Sequence, residues 1–224
     1  MRQRHSHGFT LIELMIVISV IAIIASIAVP NLLSARTNAN EKSVVAALRS
    51  IATAQQLART NSTVDLNNNG QGEAPTLSEL AGTEILRGST EFLTPAFLSV
   101  SLGALDSDGH VARHGYYFAL YLPDNAGTGV VGSSDNHSAI DPGMAENYWT
   151  AIAWPRASNS GGNRTMFTNQ SGDILATRDT VYAGKDNVPP AGCALLGVAP
   201  TEIHTSNIAA NAVGADGNFW RIVP

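Results

Sequence analysis

The sequence predicts an α+β protein: one long N-terminal helix laid against an antiparallel β-sheet head. Three observations predict it. Residues 9–29 form an apolar run in which Glu13 is the only charged side chain. From Leu33 to Ala58, apolar and small residues recur at spacings of three and four, the period of one helix face. After residue 60 that period is lost, Gly, Pro, Asn and Ser rise, and short aromatic and β-branched runs appear between turn residues.

The first half of the helix has the dimensions of a membrane span. Its 21 residues reach roughly 31 Å at the helical rise, against a hydrocarbon core of about 30 Å. A carboxylate inside that core costs about 2.5–3.5 kcal/mol at mid-bilayer and less near an end, so Glu13 needs a partner. Arg2 and Arg4 precede the run and place the N-terminus on the cytoplasmic side. Two plainer readings compete. One is a secretory signal with Ser26-Ile27-Ala28 as its cleavage site; Glu13 and the length of the run fit it poorly. The other is a simple anchor in which Glu13 is incidental.

The stretch Gly8-Phe9-Thr10-Leu11-Ile12-Glu13-Leu14 resembles the N-terminal signature of type IV pilin-like proteins, meaning type IV pilins and the pseudopilins of type II secretion systems. The resemblance covers Gly8 to about Thr60, and Pro30 stands where the family has its helix-kinking proline. It implies a pilin-like fold, cleavage between Gly8 and Phe9 by a membrane-embedded prepilin peptidase, and N-methylation of Phe9. It also implies an inner-membrane assembly platform and self-assembly into a helical filament. The residues suit these roles. Gly8 has no Cβ, so a peptidase can approach its backbone closely. Cleavage leaves an ammonium on Phe9 that Glu13 of a neighbouring subunit can neutralise; in low dielectric either charge alone is costly.

The second half of the helix presents Leu33, Val44, Ala47, Leu48, Ile51, Ala54, Gln55 and Ala58 on one face, with Glu41, Lys42, Arg49 and Arg59 at other positions. Pro30 lacks an N–H and clashes with the carbonyl of Ser26, so a kink or local melting is expected near residues 26–30. In the head, Thr76 and Glu79 form a capping-box pattern that opens a short helix. Residues 116–122 and 148–154 read as strands. Residues 165–169 and 173–177 flank Gln170-Ser171-Gly172 as a hairpin. The stretches 124–144 and 183–211 read as loops forming a variable surface.

The resulting division is a leader at 1–8, a transmembrane helix at 9–29, an amphipathic helix at 30–60 and a β-rich head at 61–224. The whole chain carries a net charge of −5, but from residue 61 onward seven basic residues face sixteen acidic ones, a charge of −9. An acidic head has no electrostatic footprint for nucleic acid. Cys193 is the single cysteine, so no intrachain disulfide forms; family members often staple the head with cysteines.

Motifs that suggest chemistry are few. Asp65, Asn67 and Asn69, with Gly70, follow the opening of a calcium loop, and Glu73 stands at its ninth place. Thr76 replaces the bidentate Glu of an EF-hand, so the alternative is a plain Asx-turn loop. Calcium is thus the candidate cofactor; the resemblance supports some calcium site in the head, since major pseudopilins carry one. Asp106-Ser107-Asp108-Gly109 and Asp216-Gly217-Asn218 are weaker versions. Gly127-Thr128-Gly129-Val130-Val131-Gly132 matches a dinucleotide fingerprint but lacks the helix that must follow. His110 and His114 are flanked by glycines, against a helical zinc pair.

The expectation is a structural filament subunit and not an enzyme, anchored by a single pass with the head in the periplasm, then residing in a periplasmic or surface filament. The first reading is a pseudopilin driving protein secretion. Glu13 argues against the tip pseudopilin, which in the family typically lacks that glutamate. The alternative is a pilin of a surface pilus for adhesion, motility or DNA uptake. A membrane-anchored hydrolase is the third, without a nucleophile motif to support it.

Overall fold

The computed structural model describes residues 9–157 and 161–223. Gly8 and the rest of the leader lie outside the described residues. Helix α1 runs from Leu11 to Thr60. Its second half packs on the head and buries Val44, Val45, Ala47, Leu48, Ile51, Ala54, Gln55 and Ala58, nearly the face that the spacing predicts. Fully burying a side chain such as Leu48 or Ile51 contributes about 1.5–3 kcal/mol. Leu33 differs: it is exposed with the rest of the first half. Glu41 also differs, being buried and paired with Arg164.

The helix is unbroken through Pro30. The local melting expected near residues 26–30 is not found. Proline removes one N–H donor, but the bonds on either side persist within a helix of 50 residues.

The head is built on an antiparallel sheet of eight strands: β1 (Val111–Arg113), β2 (Tyr116–Pro123), β3 (Gly129–Val131), β4 (Thr150–Pro155), β5 (Met166–Asn169), β6 (Ile174–Thr177), β7 (Ala212–Val213) and β8 (Phe219–Ile222). Their order is β1-β2-β4-β5-β6-β8-β7, with β3 pairing onto β2. The expected strands are β2 and β4, paired in register from Tyr116↔Pro155 to Tyr121↔Thr150. The expected hairpin is β5–β6, with Phe167 opposite Leu175. Gly172 adopts φ +80° in its turn, a conformation that favours glycine. Thr76 caps α2 (Leu77–Leu80) through the reciprocal bonds expected with Glu79.

Two loop assignments change. Residues 124–144 contain β3, a 3₁₀ segment Ser134–Ala139 and a short helix α3 (Pro142–Ala145). Residues 183–211 hold no named strand or helix, but they are not merely surface: Ala191, Cys193, Ala194, Leu195, Ile203 and Ala209 are buried. They cover the sheet face opposite α1. Along β2, Tyr116, Phe118, Leu120 and Leu122 join the helix-side core, while Ala119 and Tyr121 join the core beneath this segment. Strand β4 divides likewise, with Ala151 and Ala153 on one side and Ile152 and Trp154 on the other. A sheet covered on both faces needs apolar residues at every position, which is why these strands lack polar alternation.

Candidate functional site

The membrane-facing half of α1 stands apart from the head. Every large apolar side chain from Phe9 to Leu33 is exposed, from 49% at Val17 to 87% at Phe9. The helix is long and apolar enough to cross a membrane, and none of its most apolar window is buried within the protein. Such a surface is stable only in lipid or against other helices.

Glu13 sits at the third position of this helix and closes a capping box with Thr10. Thr10 Oγ1 accepts from the Glu13 backbone N–H at 3.2 Å, and Glu13 Oε2 accepts from the Thr10 N–H at 2.8 Å and its hydroxyl at 2.6 Å. Two otherwise unpaired donors of the helix start are thereby satisfied. The sequence reading missed this pairing, although Thr10-Leu11-Ile12-Glu13 is the same pattern recognised at Thr76–Glu79. The carboxylate therefore has a local partner within its own chain and remains exposed at the helix tip.

The residues suggested for calcium come together in one loop after α1. Asp65 Oδ1 accepts from the Asn69 N–H at 3.1 Å and Oδ2 from the Gly70 N–H at 3.0 Å. Asn67 Oδ1 and Asn69 Oδ1 accept from backbone N–H groups of Asn69 and Gln71. Glu73 is fully buried; its Oε1 accepts from the Leu66 N–H at 2.7 Å, while Oε2 has no partner. Burial pushes the Glu73 carboxyl above its ordinary value. Glu146, which sequence reasoning did not find, accepts from the side-chain amides of both Asn67 and Asn69 at 2.7 Å. The loop is closed by its own Asx-type bonds, and a cation would have to open several of them; Glu73 Oε2 is the one oxygen of the set already free to bind.

The other motifs separate. Within the glycine-rich stretch, Gly129–Val131 is strand β3, paired with β2, and not the start of a phosphate-binding helix. His114 lies between β1 and β2 at φ +50° and accepts from Arg113, so it does not share a helical face with His110.

Comparison with known proteins bears on the N-terminal half of this site. The prokaryotic N-terminal methylation motif matches residues 3–29. The Type IV wide pilus major component PilA4 of Thermus thermophilus is 50% identical over 54 residues, which take in 24% of this chain and 41% of that pilin's length. The N-terminal segment of the chain is thus similar to that of a type IV pilin. No solved structure gives a significant match. The methylation motif takes in residues 3–8 and the whole apolar run from Phe9 to Val29, with Thr10 and Glu13, while the head with its 65–73 loop lies outside it.

Proposed function

We propose that this chain is a structural, non-enzymatic subunit of a type IV pilus-like filament. The observation that carries the reading is the exposed apolar first half of α1, whose single charged residue, Glu13, lies in its first turn. A prepilin peptidase cuts between Gly8 and Phe9 and methylates Phe9. Before assembly the subunit rests in the inner membrane by a single pass, N-terminus cytoplasmic and head periplasmic. An assembly platform then draws it into a homopolymer, where the apolar helices bury one another. Glu13 exchanges its bond to Thr10 for the ammonium on Phe9 of a neighbour, so a single charge pair sets register in an apolar bundle. Pro30 weakens the helix at the junction of its two halves and gives a point of extension in the filament.

Two destinations share this machinery. The pilin relative favours a surface pilus. The head without a disulfide, its one cysteine free and buried, favours a secretion pseudopilin. Electron microscopy of sheared cells, wild type against a deletion strain, tests both. Surface filaments containing the methylated mature chain, and lost on deletion, establish the pilus. Bald cells with defective protein export establish the pseudopilin. Deletion without effect on filaments or export overturns the proposal.

A further inference from the structure

A second cluster of polar side chains lies on the head, at the entry to β1 and away from both the stem helix and the 65–73 loop. Asp106, Asp108 and His110 each place one ligand-type atom within 4.8 Å of the other two. The turn that gathers them is tight. Asp106 Oδ1 accepts from the backbone N–H groups of Asp108 and His110 at 3.0 and 2.9 Å, and Gly109 returns the chain at φ +75°. A Cβ on Gly109 would lie 2.4 Å from Val131 Cγ1, so the turn is pressed against β3. One oxygen of Asp106 thus holds the turn and the other, Oδ2, pairs with Lys185.

His110 is the feature that ordinary turn chemistry does not explain. It is 94% buried, packed edge-on against Trp154 with ring centroids 4.9 Å apart, and its Nδ1 has no hydrogen-bond partner. A buried polar nitrogen is usually satisfied. Opposite the ring, Lys185 Nζ lies 2.8 Å from Asp106 Oδ2 and 2.5 Å from Asp108 Oδ2. The segment carrying it is fixed beside the cluster: the Trp154 indole N–H donates to the Gly184 carbonyl at 2.8 Å.

We propose that Asp106, Asp108 and His110 form a binding site for a zinc-class divalent ion, with the Lys185 ammonium as a displaceable counter-charge. Two carboxylates and one imidazole suit a borderline ion rather than calcium, which takes oxygen ligands. Tetrahedral zinc at about 2.0–2.2 Å from each ligand sets those atoms about 3.3 Å apart, so the cluster closes by about 1.5 Å at most. A solvent molecule completes the fourth position. Lys185 is exposed and its ion pairs are solvent-screened, so a divalent ion displaces it readily. The site lies outside the N-terminal assembly region and does not depend on the filament reading.

The test uses the mature, untagged full chain in detergent, stripped with chelator and titrated with zinc by calorimetry, and separately with cobalt(II) by absorbance. The expected result is one equivalent of zinc and a tetrahedral cobalt spectrum. Loss of an outer-sphere partner alone lowers metal affinity by about 10–100-fold, so Asp108→Asn and His110→Gln should each cost at least tenfold. Asp108 is exposed, so its variant reports even if His110→Gln unsettles the Trp154 packing. Lys185→Ala should raise the affinity, because the competing ammonium is gone. No zinc binding by wild type or Lys185→Ala, zinc binding unchanged in Asp108→Asn, or binding of calcium in place of zinc overturns the proposal.

Discussion

Arg164 and Glu41 tie the sheet to the stem helix across 123 residues of sequence, with Arg164 Nε and Nη2 2.8 and 2.6 Å from the same carboxylate oxygen, Glu41 Oε2. The Asn163 N–H adds a longer bond to Oε1 at 3.3 Å. This pair anchors α1 just where the helix enters the head. Arg164→Leu would leave a largely buried carboxylate with, among the described residues, only the Asn163 N–H as donor. Because Arg164 is partly exposed, the expected loss is about 1–3 kcal/mol rather than the full cost of a buried pair. Denaturant unfolding of the full chain in detergent, followed by tryptophan fluorescence, measures it. Glu41→Gln in the same chain should recover part of the loss, since residues in contact do not act additively.

Glu13 caps its helix, and the proposed filament would give it a second, separable role as counter-charge. Thr10→Val removes the hydroxyl of the capping box but leaves the carboxylate. It should cost about 0.5–2 kcal/mol at the helix start and still permit filaments. Glu13→Gln keeps an oxygen that can accept from the Thr10 N–H but removes the charge. In a filament it leaves the neighbour's ammonium buried and unpaired, at a cost of about 3–5 kcal/mol per subunit. The expected phenotype is cleaved, membrane-resident subunit without filaments, read by immunoblot and microscopy. Normal filaments from Glu13→Gln would reduce the residue to its cap.

Processing makes its own test. Gly8→Val places a branched side chain where the proposed cut needs close approach to the backbone. Full-length precursor should accumulate in the inner membrane, and mass spectrometry should find no methylated Phe9. Normal maturation of this variant would displace the cleavage site from the Gly8–Phe9 bond.

Glu73 makes head stability depend on pH. Burial raises its carboxyl in the folded state, so between the ordinary carboxylate range and that raised value the folded chain binds more protons than the unfolded one. Its contribution to stability is greatest at acid pH and falls as pH rises through this window. Glu73→Gln keeps an acceptor for the Leu66 N–H, so it should flatten that fall and raise the thermal midpoint at neutral pH in chelator. If the 65–73 loop holds calcium, added calcium should reverse the order. At 100 times its dissociation constant a bound ion stabilises by about 2.7 kcal/mol, and Asp65→Ala should abolish the gain. A wild-type midpoint indifferent to calcium leaves an Asx-turn loop.

Much of the stem was legible because its signals are local and periodic. The buried face from Val44 to Ala58 follows from spacing alone, and the β5–β6 hairpin follows from its turn residues. Thr10–Glu13 is equally legible, since it repeats the capping-box pattern of Thr76–Glu79. Strands β1, β3, β7 and β8 were not legible. They are two to four residues long, and nothing in so short a run distinguishes a paired segment from a loop.

By itself the sequence determined an apolar helix long enough to span a membrane, with one acidic residue, an amphipathic continuation, an acidic β-rich head and a single cysteine. These rest on composition and on the 3.6-residue period, which need no knowledge of distant parts of the chain. Tertiary structure alone decided that residues 183–211 form the second cover of the sheet, that Glu41 meets Arg164, and that Lys185 lies across Asp106 and Asp108. Each joins groups far apart in sequence, and such meetings depend on strand order and on which face a loop crosses. The physical reason is that burial and charge pairing act through space, while sequence pattern reports only neighbours within a few turns of helix or one hairpin.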